Sequence, residues 1–225
     1  MKKVLFIFAA MIAFFAVDAN AQVFVGAGYN TLNNVTKIDK NSDSESMGGF
    51  YAELGYNFNM YSDNWGELGL EPAVRYTFAR EAESDEILGV KTNASLTEHY
   101  LDIPVNIKYG YNVISSKFKA YAFAGPIFSF GLESVTKGEV GDITTTTHNY
   151  TGTVVVSGPD GKETAKGEGT DYNMFDIKVG VGAGVRVFDV LDVKVGYNFG
   201  MMNRHANSKA VTNTNVFYVG AALSF

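Results

Sequence analysis

Cysteine is absent from the 225 residues, proline occurs four times, histidine three times and tryptophan once. Without cysteine there is neither a disulfide scaffold nor a thiolate metal site. Three histidines are too few for a His-rich metal centre, so no metal and no cofactor is expected. Charge is also scarce, at 19% of residues against about 25% in an average globular domain. Acids outnumber bases 24 to 18, a net charge of −6. That balance argues against nucleic acid as a partner, because phosphate neutralisation needs Lys and Arg. The abundant residues are Gly (24), Phe (17) and Tyr (13). With so little proline, this composition favours strands over helices. The length fits one large domain or two small ones and is ample for a sizeable core.

The N-terminus reads as an export signal. Lys2 and Lys3 form a positive head, Val4 to Val17 is an apolar run, and Ala19-Asn20-Ala21 is a small-x-small cleavage site. Cleavage is expected before Gln22, which divides the chain into a signal peptide (1–21) and a mature domain (22–225). The run is too short for a helical span, which needs about 20 apolar residues. The residue after the cut is Gln rather than Cys, so a lipoprotein anchor is not indicated. Removing Lys2, Lys3 and Asp18 shifts the net charge from −6 to −7. No later segment has 18 consecutive apolar residues, so no membrane helix follows.

From Val23 onward eight segments alternate in character with a period of two: 23–30, 49–58, 67–79, 101–110, 117–131, 175–187, 191–200 and 217–225. Strict alternation is the strand signal. In the sixth, for instance, Ile177, Val179, Val181, Ala183 and Val185 oppose Lys178, Gly180, Gly182, Gly184 and Arg186. The fifth is apolar on both parities and its faces stay unassigned. A soluble barrel or sandwich would turn the apolar face inward; a membrane barrel turns it to lipid. The polar face decides between them. It is built of Gly, Ala, Asn and Ser with scattered charges, and glycine weakens a strand unless space is short. The interior of an eight-stranded barrel is narrow.

The fold expected is therefore all-β: an eight-stranded antiparallel up-and-down transmembrane barrel in the outer membrane. Connections alternate long and short: long at 31–48, 80–95, 132–173 and 202–214, short at 59–66, 111–116 and 188–190. Membrane barrels place long loops outside and short turns in the periplasm. The four outer connections are acidic overall, but none has the spacing of a calcium loop. Tyr29, Tyr56, Phe58, Trp65, Tyr76, Phe78, Tyr109 and Tyr197 fall near strand ends and suit two interfacial aromatic girdles. The C-terminal pattern of Tyr218, Gly220, Leu223 and Phe225 resembles the signal read by the outer-membrane barrel assembly machinery, an expected partner beside membrane lipid.

Four stretches carry a resemblance to a known family: Tyr100-Leu101-Asp102-Ile103-Pro104-Val105, Ala122-Phe123-Ala124-Gly125-Pro126, Val179 to Val185, and Val195-Gly196-Tyr197-Asn198-Phe199-Gly200. They resemble the PorT-like outer-membrane β-barrels of Bacteroidetes-type bacteria, within a wider set labelled porin family or OmpA-like. The resemblance spans residues 22–225 and implies a cell-envelope barrel. One branch of that family serves protein secretion, and nothing in these residues places the chain there.

Parity assigns Glu53, Glu67, Glu71, Asp102, Asp176 and Asp192 to the lumen, with Arg75, Lys108, Lys178, Arg186 and Lys194. Buried charges persist only when paired. The first expectation is a salt-bridge network that plugs the barrel; the alternative is a narrow channel through that network. Residues 132–172 form the expected contact surface for an extracellular ligand or envelope protein, since function often sits on loops held by a rigid scaffold. Within them Gly158-Pro159-Asp160-Gly161 reads as a hairpin turn between two strands that extend beyond the membrane. An enzyme is not expected. His99 has Ser95, Thr97 and Glu98 nearby, with His148 and His205 in loops. A hydrolase, however, needs a base, a nucleophile and an orienting acid in one arrangement.

Overall fold

The computed structural model of the protein describes residues 21–38, 41–63, 66–87, 89–113, 117–169, 172–205 and 211–225. The expected signal peptide (1–21), except for Ala21, and Trp65 lie outside the described residues. Among the described residues eleven strands follow in order: β1 (Ala21–Ile38), β2 (Asn41–Ser62), β3 (Gly66–Ile87), β4 (Val90–Asn112), β5 (Phe118–Val140), β6 (Ile143–His148), β7 (Thr153–Ser157), β8 (Glu163–Glu168), β9 (Phe175–Val187), β10 (Leu191–Gly200) and β11 (Val211–Ser224). Eight of them, β1 to β5 and β9 to β11, form a closed ring. Neighbours pair antiparallel throughout, β1 with β11 and β4 with β5 among them. Closure satisfies every ladder and leaves no edge in lipid.

The register fixes the barrel's shear. One row of paired residues runs Lys119–Arg186–Asp192–Ala222–Gly26–Glu53–Arg75–Asp102–Ser129 and so returns to β5 ten residues above its start. Eight strands with a shear of ten tilt by about 40° and enclose only a narrow interior. Inward residues lie along such rows, which is why charges distant in sequence meet inside.

The faces follow the parity of the sequence. Val25, Phe50, Ile107, Val179, Val193 and Val219 face out and are exposed, whereas Phe24, Tyr51, Lys108, Lys178, Lys194 and Tyr218 face in and are buried. The structure also assigns β5, whose faces the sequence leaves open: Tyr121, Phe123, Ile127 and Ser129 point inward, Ala122, Ala124, Phe128 and Phe130 outward. Its large inward residues are received by glycines of β9. A Cβ on Gly182 would lie 2.2 Å from Phe123 Cζ, and one on Gly184 2.5 Å from Tyr121 Cζ. The β9 glycines therefore provide room for the β5 rings.

At one end the turns are short, and β1 begins and β11 finishes there. At the other end the connections expected as long loops are largely ladder. β1 and β2 stay paired from Ala21–Phe58 to Ile38–Asn41, and β3 and β4 from Gly66–Tyr111 to Ile87–Val90. Strands of 18 to 23 residues in β1 to β5 are about twice the 9–11 that span a bilayer. The polar, β-branched-rich extensions pair as readily as the apolar parts, and a clear change of composition does not mark the end of a strand. Beyond the ring, β5 carries the antiparallel set β6–β7–β8. β7 and β8 flank the turn at 158–161, as its residues indicate.

The aromatic girdles separate by height. Tyr29 pairs in register with Phe50, and Phe50 with Phe78, toward the long end together with Tyr76 and Tyr197. Tyr56, Phe58 and Tyr109 lie toward the short-turn end. In the C-terminal strand Tyr218 is buried inside, Gly220 faces in with it, and Leu223 and Phe225 face out.

Candidate functional site: the charged lumen and its outer closure

The lumen charges form a chain of ion pairs. Arg75 donates to Glu53 at 2.8 and 3.1 Å, and its guanidinium lies 4.6 and 4.2 Å from the ring centroids of Tyr51 and Tyr218. Lys194 also pairs with Glu53 and reaches Glu71 at 3.6 Å. Lys108 joins Glu71 at 3.1 Å to Asp192 at 3.4 Å, and Arg186 pairs with Asp192 at 2.9 Å. Lys178 lies 3.7 Å from Asp102, which also accepts from the Thr77 hydroxyl at 2.9 Å.

The Lys178–Asp102 pair is separate from this chain, and two further residues assigned to the lumen by parity also sit apart. Glu67 lies toward the short-turn mouth, where Lys119 bridges it at 2.7 Å to Asp189 at 2.9 Å. Asp176 accepts the backbone N–H of Met202 at 3.0 Å. At the short-turn mouth a cavity of about 390 Å³ is walled by Gln22, Asn57, Lys119 and Arg186 among others.

A second polar centre closes the other mouth. Arg204, in the segment between β10 and β11, donates to Glu98 at 2.5 Å. Glu98 also accepts from Tyr100 at 2.8 Å and Ser134 at 3.1 Å. Arg204 donates to Asn34 at 3.1 Å and lies 4.8 Å from the centroid of Tyr172. Tyr172 and His205 form a bridge and stack edge-on at 4.9 Å. Around this centre Leu32, Met47, Ala79, Tyr100 and Val216 pack as an apolar cluster.

Environment sets the protonation tendencies here. Burial opposes the Arg204 charge, but Tyr100 and Glu98 hold its pKa above the ordinary value. Burial pushes the Tyr150 hydroxyl up to about 12, with Glu98 adding to the effect. His205 is held below its usual pKa by burial and then by Arg204.

Parity alone did not find Lys119, Asp189, Glu98 or Arg204. Lys119 lies on the strand whose faces are ambiguous, Asp189 in a turn, Glu98 between the 80–95 connection and the alternating part of the fourth strand, and Arg204 in a segment read as a loop. The His99 neighbourhood also divides by parity. His99 accepts or donates through Nδ1 to the Tyr76 hydroxyl at 2.5 Å on the outer surface, while Glu98 points inward to Arg204.

A closed eight-stranded ring with an apolar outer belt and a paired, buried interior defines an integral outer-membrane β-barrel of the cell envelope. The sequence matches the family model described as outer membrane protein beta-barrel domain over residues 15–205, and the chain belongs to that family. No curated protein matches the sequence. Among solved structures it is similar to Ail, the attachment invasion locus protein of Yersinia pestis, solved with the heparin analogue sucrose octasulfate: 12% identity, 92% of this chain and 99% of that one, TM-score 0.40. Neisserial surface protein A gives 16% identity over 90% and 97%, TM-score 0.40. The outer membrane enzyme PagL gives 11% over 86% and 97%, TM-score 0.44.

Proposed function

We propose that the protein is a sealed outer-membrane barrel with a structural or binding role carried by its outer extensions, not a catalyst and not an open porin. The observation that carries this reading is the Arg204–Glu98 pair, set in the apolar cluster across the outer mouth above a lumen already filled by ion pairs and by Tyr51, Tyr121, Phe123 and Tyr218. A solute path would have to break several buried pairs at once, each costly to leave uncompensated. Within the family, the sequence elements around Asp102-Ile103-Pro104 and Ala124-Gly125-Pro126 support a PorT-like branch. Export by residues 1–21 and insertion by the barrel assembly machinery complete the reading. The β6–β8 hairpins, within residues 132–172, are the surface offered to an extracellular ligand or envelope protein. Swelling of liposomes that hold the purified protein, suspended in small sugars, tests the sealed lumen. The expected result is no swelling above empty liposomes; steady swelling would establish the narrow channel instead.

A further inference from the structure

Above the apolar belt the paired wall of the barrel is open on one side. β2 and β3 pair from Ser62–Glu67 up to Gly48–Arg80 and stop there. Beyond that point, among the described residues, β2 (41–47) has only β1 as its ladder neighbour and β3 (81–87) only β4. Each strand therefore presents a free edge of peptide groups to a cleft between them. Asp85 turns its carbonyl toward β4, where Thr92 Oγ1 donates to it at 3.1 Å. Peptide groups alternate in direction along a strand, so Ser84 and Glu86 turn theirs to the cleft. The Glu86 N–H is met by Asp85 Oδ1 at 2.8 Å, and on β2 the Ser44 N–H by Asp43 Oδ1 at 2.9 Å. These carboxylates stand in for the carbonyls of a neighbouring strand.

Charge explains why the ladder stops. The two edges, 41–47 and 81–87, carry Asp43, Glu45, Glu81, Glu83, Asp85 and Glu86 and no Lys or Arg. Continuing the Gly48–Arg80 register would set Glu45 against Glu83 and Asp43 against Asp85. Like charges directly opposite destabilise a ladder. Burial, and then Glu83 and Glu45, hold the Glu81 carboxyl above its ordinary pKa. Among the described residues none of the six acids makes an ion pair. Lys37 and Lys91, the register partners of Ser42 and Glu86, lie on β1 and β4 behind the edges.

We infer that this cleft takes up an extended basic segment of an envelope or extracellular protein, which adds to the β3 edge as a further strand. In such pairing main-chain hydrogen bonds supply affinity and alternate side chains supply specificity. Asp43 and Glu45 on β2, and Glu81, Glu83 and Asp85 on β3, fall at alternate positions, so each edge has one acidic face. The matching segment carries Lys or Arg at every second residue. A second copy of this chain does not fit, because it would bring acid against acid, and the same charges guard the free edges against indiscriminate pairing. The cleft is separate from the β6–β8 hairpins and serves whether or not the lumen conducts.

The test uses the full mature chain in detergent micelles and a capped, fluorescent peptide that alternates Lys with Thr over the length of the β3 edge. Fluorescence anisotropy should show binding to the unaltered protein, weaker as salt is raised. Amide exchange at Ser84 and Glu86 should slow when the peptide binds. The same peptide N-methylated along its backbone keeps its charge but cannot donate to the ladder, and should bind at least tenfold more weakly. E83Q/D85N should lose at least tenfold in affinity for the parent peptide, whereas E163Q/E168Q, on β8, should bind it as the unaltered protein does. A heat-modifiable shift on electrophoresis checks that each variant is a folded barrel. Absence of binding to the unaltered protein would overturn the inference, as would undiminished binding by E83Q/D85N. Equal binding of the N-methylated peptide would reduce the contact to surface charge and refute strand addition, and an equal loss in E163Q/E168Q would move the site away from the cleft.

Discussion

Arg204 and Glu98 are 106 positions apart in sequence, yet their side chains meet at 2.5 Å with almost no solvent contact. The pair ties the β10–β11 connection to β4 and closes the outer mouth. Removing one partner leaves the other charge buried and unpaired, which costs about 3–5 kcal/mol. E98A should therefore lower the urea midpoint and expose residues 201–205 to hydrogen exchange. The double variant E98L/R204M should recover most of the loss, because an apolar pair of similar volume is often neutral or better. Equal exchange in E98A and the unaltered protein would show that the pair does not hold the cap.

The same logic applies deeper, where Glu53 answers two cations. E53Q keeps the volume but leaves Arg75 and Lys194 without the carboxylate they share, Lys194 keeping Glu71 at 3.6 Å. A destabilisation of about 3 kcal/mol or more is expected, read as a shift of the denaturation midpoint in detergent. E53Q/K194M should be milder than E53Q alone.

The glycine–aromatic fit predicts a compensating pair. G182A should fail to give the heat-modifiable barrel or give it in low yield, since its Cβ would meet Phe123 at 2.2 Å. Shortening the ring in G182A/F123L should recover part of the assembly but not all of it, because the Cβ would still lie 2.5 Å from the Val195 carbonyl oxygen. If G182A alone assembles as well as the parent, the two residues are not sharing one space.

Closure of the outer mouth should depend on pH through His205. Its pKa in the closed form is below the ordinary value. Between that ordinary value and the lowered one, an open form binds the proton that the closed form refuses. The cap is thus tightest above about pH 6.5 and loosens as pH falls. The protection factors of residues 201–205, taken against the intrinsic exchange rate at each pH, should fall on acidification, and the fall should be smaller in H205N.

The β9–β10 turn holds Phe188 and Asp189 at φ of 55° and 58°. A bulky side chain is strained there, whereas Asn tolerates that region. F188N should raise the denaturation midpoint by the equivalent of about 1 kcal/mol.

Much of this fold is legible in the sequence because a strand exposes one parity to each side. Val179 and Lys178 could be assigned to lipid and lumen from spacing alone, as could Arg75 and Glu53. Two things were not legible. On β5, Tyr121 and Phe123 are as apolar as their outward neighbours, and only the glycines of β9 across the ladder show which parity points inward. At the outer mouth, Glu98 and Arg204 lie in segments without a clear period. Their meeting depends on the shear of ten and on strands continuing well past the belt, which Thr31, Asn33, Ser44 and Ser46 do not announce.

Single-channel recording in planar bilayers tests the sealed lumen most directly. Silence is expected from the unaltered protein across the voltage range, and at most brief, noisy openings from E98A/R204A. Steady, uniform openings from the unaltered protein, reduced when Arg75 or Arg186 is replaced, would contradict it and establish a conducting path through the ion-pair network.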